Sequence, residues 1–217
     1  MTGARILTIL RPSRNLAAPG LVRLESGTRL HRIHNRQRTA STFNPCQGNP
    51  TRFAPITDED GRCVPSLYMG STFDSVAYET LFHDIPARTK RRTLSAAVLG
   101  DRAHTRLDAD RDITVAALRA PELAKWNISR TALIESSPRL YRQTAAWAKA
   151  IHDQFPDVEG LVWTSNRCDP EDAYLFFGDR VRDVDLRIVS TRDCRSDSSF
   201  LTDVRQAAWR SGISVTI

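Results

Sequence analysis

The sequence predicts an α+β domain, and three observations carry that expectation. Runs such as Leu161–Ser165 and Ala173–Phe177 are apolar, short and of strand length. Segments 137–155 and 200–212 instead space their apolar residues as helices do. The two kinds of element follow one another with no regular β-α-β alternation, which argues against a doubly wound parallel sheet. At 217 residues, with 41% hydrophobic and 26% charged residues, the chain suits one well-cored domain rather than two large ones.

Residues 1–20 have little periodicity and read as an N-terminal arm ahead of a single domain over 21–217. Thr28–His34 sets Leu30 and Ile33 among basic residues and fits a short strand. Segment 44–55, rich in Asn, Pro and Gly, is a loop, and Arg52 lies in it. Ser66–Gly70 reads as a strand. Ser71, three residues before Asp74, then marks the start of a helix over 72–84. Phe73, Val76, Ala77, Thr80 and Leu81 form its expected buried stripe, and Glu79 lies roughly 200° around from Ala77, facing water or a cleft.

Thr93–Leu99 is the next strand, whereas 100–120 mixes Asp, Arg and apolar residues and receives no assignment. Ser137 and Pro138 open the clearest helix, which keeps Leu140, Thr144, Trp147, Ala148, Ile151 and Phe155 on one face. Strands 161–165 and 173–177 flank the polar loop 166–172, so Ser165 stands where a buried strand becomes loop. A strand over 185–190 and a C-terminal helix stopped at Gly212 complete the chain.

The apolar run Ile6–Leu10 is halted by Arg11-Pro12, well short of a secretory core, and no segment approaches the roughly 20 apolar residues of a membrane span. A cytoplasmic location is expected. Cys46, Cys63, Cys168 and Cys194 form no C-x-x-C pair, so reduced thiols and no zinc site are expected. His31 and His34, three apart in a strand, point to opposite faces and make no metal pair. Phosphate-loop, dinucleotide-fingerprint, nucleophile-elbow and zincin motifs are all missing.

A net charge of +6, with arginine far outnumbering lysine, suits an anionic partner. The basic run Arg88–Arg92 could touch nucleic acid, but no aromatic platform or DNA-binding motif accompanies it, so a solvated loop is the favoured reading. A non-enzymatic nucleic-acid-binding protein is the alternative function.

The residues that could carry chemistry are Arg32, Arg52, Tyr68, Glu79 and Ser165. Singly, each also reads as an ordinary surface arginine, half-buried tyrosine, solvated glutamate or strand-end serine. Their order and surroundings resemble the RES domain. The matching pieces are LHRIH, FNP followed by TRF, SLYMGSTFDSVAYETL, and YRQTAAWAKAIHDQFPDVEGLVWTS, together spanning about 28–178.

That resemblance implies an ADP-ribosyltransferase-like fold and a bacterial toxin that breaks the nicotinamide–ribose bond of NAD⁺, neutralised by an Xre-type helix-turn-helix antitoxin. The ADP-ribose acceptor is left open among water, phosphate and a protein. Arg32 and Arg52 would hold the pyrophosphate, and Tyr68 would stack on the nicotinamide. Glu79 would stabilise the oxocarbenium-like ribose, with Ser165 orienting Glu79 or holding that ribose. NAD⁺ is thus a substrate, and no metal is expected. The chain departs from the family in the longer stretches 54–66 and 100–136.

Overall fold

A computed structural model describes residues 9–86, 89 and 91–216. The strands are β1 (Leu21–Leu24), β2 (Arg29–Asn35), β3 (Ile56–Thr57), β4 (Cys63–Val64), β5 (Ser66–Gly70) and β6 (Thr93–Ser95). They continue with β7 (Arg102–Ala109), β8 (Ile113–Ala117), β9 (Gly160–Thr164), β10 (Asp172–Phe177), β11 (Leu186–Asp193) and β12 (Ser214–Thr216). The helices are α1 (Phe73–Thr80), α2 (Ala120–Lys125), α3 (Arg130–Leu133), α4 (Tyr141–Gln154) and α5 (Ser198–Arg210). The fold is α+β, as the sequence predicts. No helix among the described residues is long and apolar enough to cross a membrane.

Eight strands form one sheet in the order β1-β8-β9-β10-β5-β2-β7-β11. β9 and β10 are apolar along their length because both faces are covered. Leu161, Trp163, Leu175 and Phe177 meet α4 residues such as Trp147 and Ile151, while Val162, Tyr174 and Phe176 join a cluster with Leu30, Leu67 and Leu107 on the other face. α1 and α5 close a third cluster around Val76, Phe82, Phe200 and Val204. The Tyr78 hydroxyl ties the two helices by donating to the Ala207 carbonyl at 2.9 Å.

The sheet is not continuous. β2 meets β5 at the single pair His31↔Gly70, although β2 pairs with β7 over seven positions and β5 with β10 over five. Beyond that pair the strands diverge, and the first residue of β5, Ser66, exchanges backbone hydrogen bonds with Asn44 instead. Arg32–Asn35 and Ser66–Met69 therefore border a gap.

Several local expectations change. Thr72, not Ser71, caps α1 by accepting from the Ser75 amide, because the Ser71 hydroxyl is spent on Glu171. α1 ends at Thr80 rather than running to Asp84, and its buried residues are Ser75, Val76, Ala77 and Tyr78. α5 claims the Tyr78 side of the helix, leaving Thr80 at the gap and Phe73 only partly covered. Segment 93–99 is a strand only to Ser95 and then turns into a 3₁₀ helix over Ala96–Asp101. The unassigned stretch 100–120 holds β7 and β8. Ser137 makes no side-chain cap, since a 3₁₀ turn over Pro138–Leu140 leads into α4. Within the basic run 88–92, Arg88 and Lys90 lie outside the described residues.

Cys46 and Cys63 form a disulfide with Cα atoms 6.1 Å apart, which corrects the expectation of reduced thiols throughout; Cys168 and Cys194 are free. The β3–β4 hairpin pairs Thr57 with Cys63 and folds the chain back toward Cys46, a closure that no short cysteine spacing announces. Breaking the 17-residue tether with reductant or Cys63→Ser is expected to cost about 3 kcal/mol of unfolding free energy. Denaturant titrations with and without reductant measure this, and coincident midpoints would contradict it.

Candidate active site

The gap between β2 and β5 opens into a cleft of about 800 Å³. Strand divergence creates it, and α1 and the loops after β2, α3 and β9 form its walls. Arg32, Arg52, Tyr68 and Glu79 all line it. Ser165 lies just behind the wall, fully buried.

Glu79 and Ser165 meet although they are 86 residues apart in sequence: the Ser165 hydroxyl donates to Glu79 Oε1 at 2.7 Å. The Asn166 amide donates to the same oxygen at 3.2 Å. Both donors fall on Oε1, so Oε2 has no partner among the described residues and remains available to a ligand. Because Asn166 acts through its backbone, its side-chain identity carries no signal of the contact. Arg167 holds the end of the α1 segment against this loop by donating to the Phe82 and Ile85 carbonyls at 3.2 and 2.8 Å.

Arg32 leaves β2 at the point of divergence, where its Nη1 donates to the carbonyls of Ala40 and Thr42. Burial, with Arg38 nearby, lowers its pKa to about 10, so it stays charged at neutral pH. Arg52 uses Nη1 on the Ser136 hydroxyl at 3.1 Å and lies over the Tyr141 ring. Each guanidinium thus keeps donors beyond its structural contacts. Arg38, Arg102 and Arg167 line the same cleft. None of these five arginines has a carboxylate within salt-bridge distance among the described residues. Elsewhere arginines face acids closely, as Arg119 does Asp172 and Arg192 does Asp203.

The Tyr68 ring packs edge-on against Trp163, and its hydroxyl has a task that the sequence does not disclose. It accepts from the Phe53 amide at 3.0 Å and contacts Thr51 Oγ1 at 2.9 Å. Thr51 spends its own proton on Ala54 O, so Tyr68 is the donor in that contact. Burial pushes the Tyr68 pKa up to about 12, keeping the phenol protonated for this role. The hydroxyl therefore pins the loop that carries Arg52. Tyr68→Phe is expected to strand the Phe53 amide, cost about 1–3 kcal/mol of stability and raise KM more than it lowers kcat. Thermal melts and steady-state kinetics measure both effects; a variant matching wild type in each would show the hydroxyl to be idle.

His31 and His34 do diverge: His31 Nδ1 meets His104 Nε2 at 3.0 Å, while His34 turns to Thr105. No cluster able to hold a metal occurs among the described residues.

No curated protein sequence matches the chain. Among solved structures, it is similar to a chain of the M. tuberculosis MbcT-MbcA toxin-antitoxin complex, with a TM-score of 0.62 over 85% of this chain and 92% of that one. At 14% identity that likeness concerns the fold. The family model that matches is the RES domain, over residues 29–198, a span that begins with β2, contains both strands that border the gap and takes in every residue placed at the cleft. The chain belongs to the RES domain family.

Proposed function

We propose that the cleft binds NAD⁺ and breaks its nicotinamide–ribose bond, acting as a toxin held in check by an antitoxin. The observation that carries this reading is the carboxylate of Glu79, fixed through one oxygen and open at the other, in a cleft whose arginines have no carboxylate within salt-bridge distance among the described residues. A dinucleotide brings both matching charges: an anionic pyrophosphate for the arginines and a ribose that becomes cationic as the bond breaks.

In the reaction the C–N bonding pair leaves with nicotinamide and neutralises its ring. The ribose carbon becomes oxocarbenium-like, and Glu79 Oε2 is the group available to stabilise it and to bind ribose hydroxyls. Ser165, spent on Oε1 and buried behind the wall of the cleft, positions the carboxylate and does not reach the substrate as a nucleophile. An acceptor lone pair then adds to the ribose carbon, and the acceptor proton passes to solvent. Arg32 and Arg52 hold the pyrophosphate, and Tyr68 offers its ring to the nicotinamide. The acceptor is water, phosphate or a protein side chain.

An Xre-type antitoxin fits this reading through an acidic segment entering the arginine-lined cleft. The similar M. tuberculosis chain was solved as a toxin-antitoxin complex, which supports a protein partner. Incubation with NAD⁺ tests the activity: nicotinamide release is expected, and mass spectrometry of the ribose product with and without phosphate or lysate identifies the acceptor. No release, together with salt-steep binding to nucleic acid, would overturn the reading.

A further inference from the structure

We infer that Arg130 is a positioning residue for the Glu79 carboxylate, acting through the backbone of Ser165; the kinetic part of this inference rests on the NAD⁺ reading. Arg130 opens α3, a helix of one turn capped by Ser129, and its side chain is 27% exposed. The guanidinium forks onto two successive carbonyls at the end of β9, donating from Nη1 to Thr164 O at 3.1 Å and from Nη2 to Ser165 O at 3.3 Å. Its Nε donates to Glu135 Oε1 at 3.1 Å, fixing the plane of the fork.

These carbonyls need a donor because the ladder stops here. Glu171, which faces Ser165 across the strands, gives its amide to Cys168 O rather than to Ser165 O, and the pairing of β8 with β9 ends at Ala117↔Val162, short of Thr164. Ser165 is then held at every polar atom: its amide on Glu171 O, its carbonyl on Arg130 and its hydroxyl on Glu79. A fully buried serine so held cannot rotate or shift without breaking one of these bonds. The next amide, Asn166, is aimed at the same Glu79 oxygen by the same peptide geometry. Arg130 thereby sets both donors that orient the carboxylate, without itself reaching the substrate.

Lysine at 130 keeps the charge but cannot fork onto two carbonyls and a carboxylate together. The test compares wild type, Arg130→Lys, Ser165→Ala and the double variant. Arg130→Lys is expected to lower kcat about tenfold with KM within about twofold, the pattern of a misplaced group that matters in the transition state. The double variant is expected to lose less than the product of the two single losses, because both changes act on one device and only the Asn166 amide is left for Arg130 to place in Ser165→Ala. Additive losses, or a loss confined to KM, would overturn the inference.

Amide hydrogen exchange provides an arm that needs no substrate. The Asn166 amide is expected to exchange about tenfold faster in Arg130→Lys while Leu161–Trp163 stay protected. Unchanged exchange at Asn166 would overturn the inference whatever the substrate is. Wild type that releases no nicotinamide counts instead against the NAD⁺ reading and leaves the exchange arm to decide on Arg130. If Arg130→Lys does not fold, Glu135→Gln, which weakens the Nε contact and leaves the two carbonyl contacts of the fork in place, should move Asn166 exchange in the same direction; no movement would again overturn it.

Discussion

Glu79→Gln is expected to lower kcat for nicotinamide release by about 10²- to 10³-fold, some 3–4 kcal/mol of transition-state stabilisation, with KM little changed. Glutamine keeps the length and shape of glutamate. Its carbonyl oxygen can still accept from the Ser165 hydroxyl and the Asn166 amide, so the loop after β9 keeps its partners. What disappears is the negative charge on the oxygen facing the cleft. Melting temperature and circular dichroism should match wild type, and bacteria should tolerate expression of the variant. Near-wild-type nicotinamide release from the folded variant would refute the role of Glu79.

The second large effect is expected at Arg32. Its Nη1 already serves the carbonyls of Ala40 and Thr42, leaving Nε and Nη2 for a phosphate. In Arg32→Lys a single ammonium must serve either the carbonyls or the ligand. Losing a charge-assisted contact of about 1.5–3 kcal/mol should raise KM for NAD⁺ by about 10- to 100-fold, with a smaller change in kcat. Steady-state kinetics and direct titration of NAD⁺ measure the change; unchanged affinity would remove Arg32 from phosphate binding.

Parts of this architecture were legible in the sequence for physical reasons. β9, β10 and α4 announce themselves because they bury nonpolar side chains at regular spacing. β7 does not, although it lies near the middle of the smaller half of the sheet. It buries His104, Thr105 and Asp108, each satisfied from another strand: His104 by His31, Thr105 by His34 and Asp108 by Arg187. Polar residues that are buried because distant partners satisfy them look, in sequence, like surface residues. The Cys46–Cys63 closure was hidden for a similar reason, since the hairpin that brings position 63 back depends on two strands of only two residues each.

The site divides along the same line. Glu79 could be placed off the packed stripe of α1 by counting residues, but Thr80 could not be placed at the cleft, because α5 rotates the buried side of α1 toward Tyr78. The Ser165–Glu79 contact and the Arg130 fork join segments far apart in the chain, and the fork lands on carbonyls that every residue possesses. Resemblance singled out Ser165; no spacing rule could have paired it with Glu79.

The single rung between β2 and β5 also bears on how the molecule holds together. A sheet is ordinarily cooperative because each strand is clamped along its length by two neighbours. Here β1-β8-β9-β10-β5 and β2-β7-β11 are two such units sharing one residue pair, with helices left to brace the join. Whatever fills the gap substitutes for the missing rungs and becomes a keystone between the halves. Mass action then favours the joined state by about 2.7 kcal/mol when the occupant stands at a hundred times its dissociation constant. A substrate and an inhibitory protein competing for this cleft would differ in how long each keeps the two halves locked, so the same incomplete pairing that admits the ligand lets its residence time govern the cohesion of the fold.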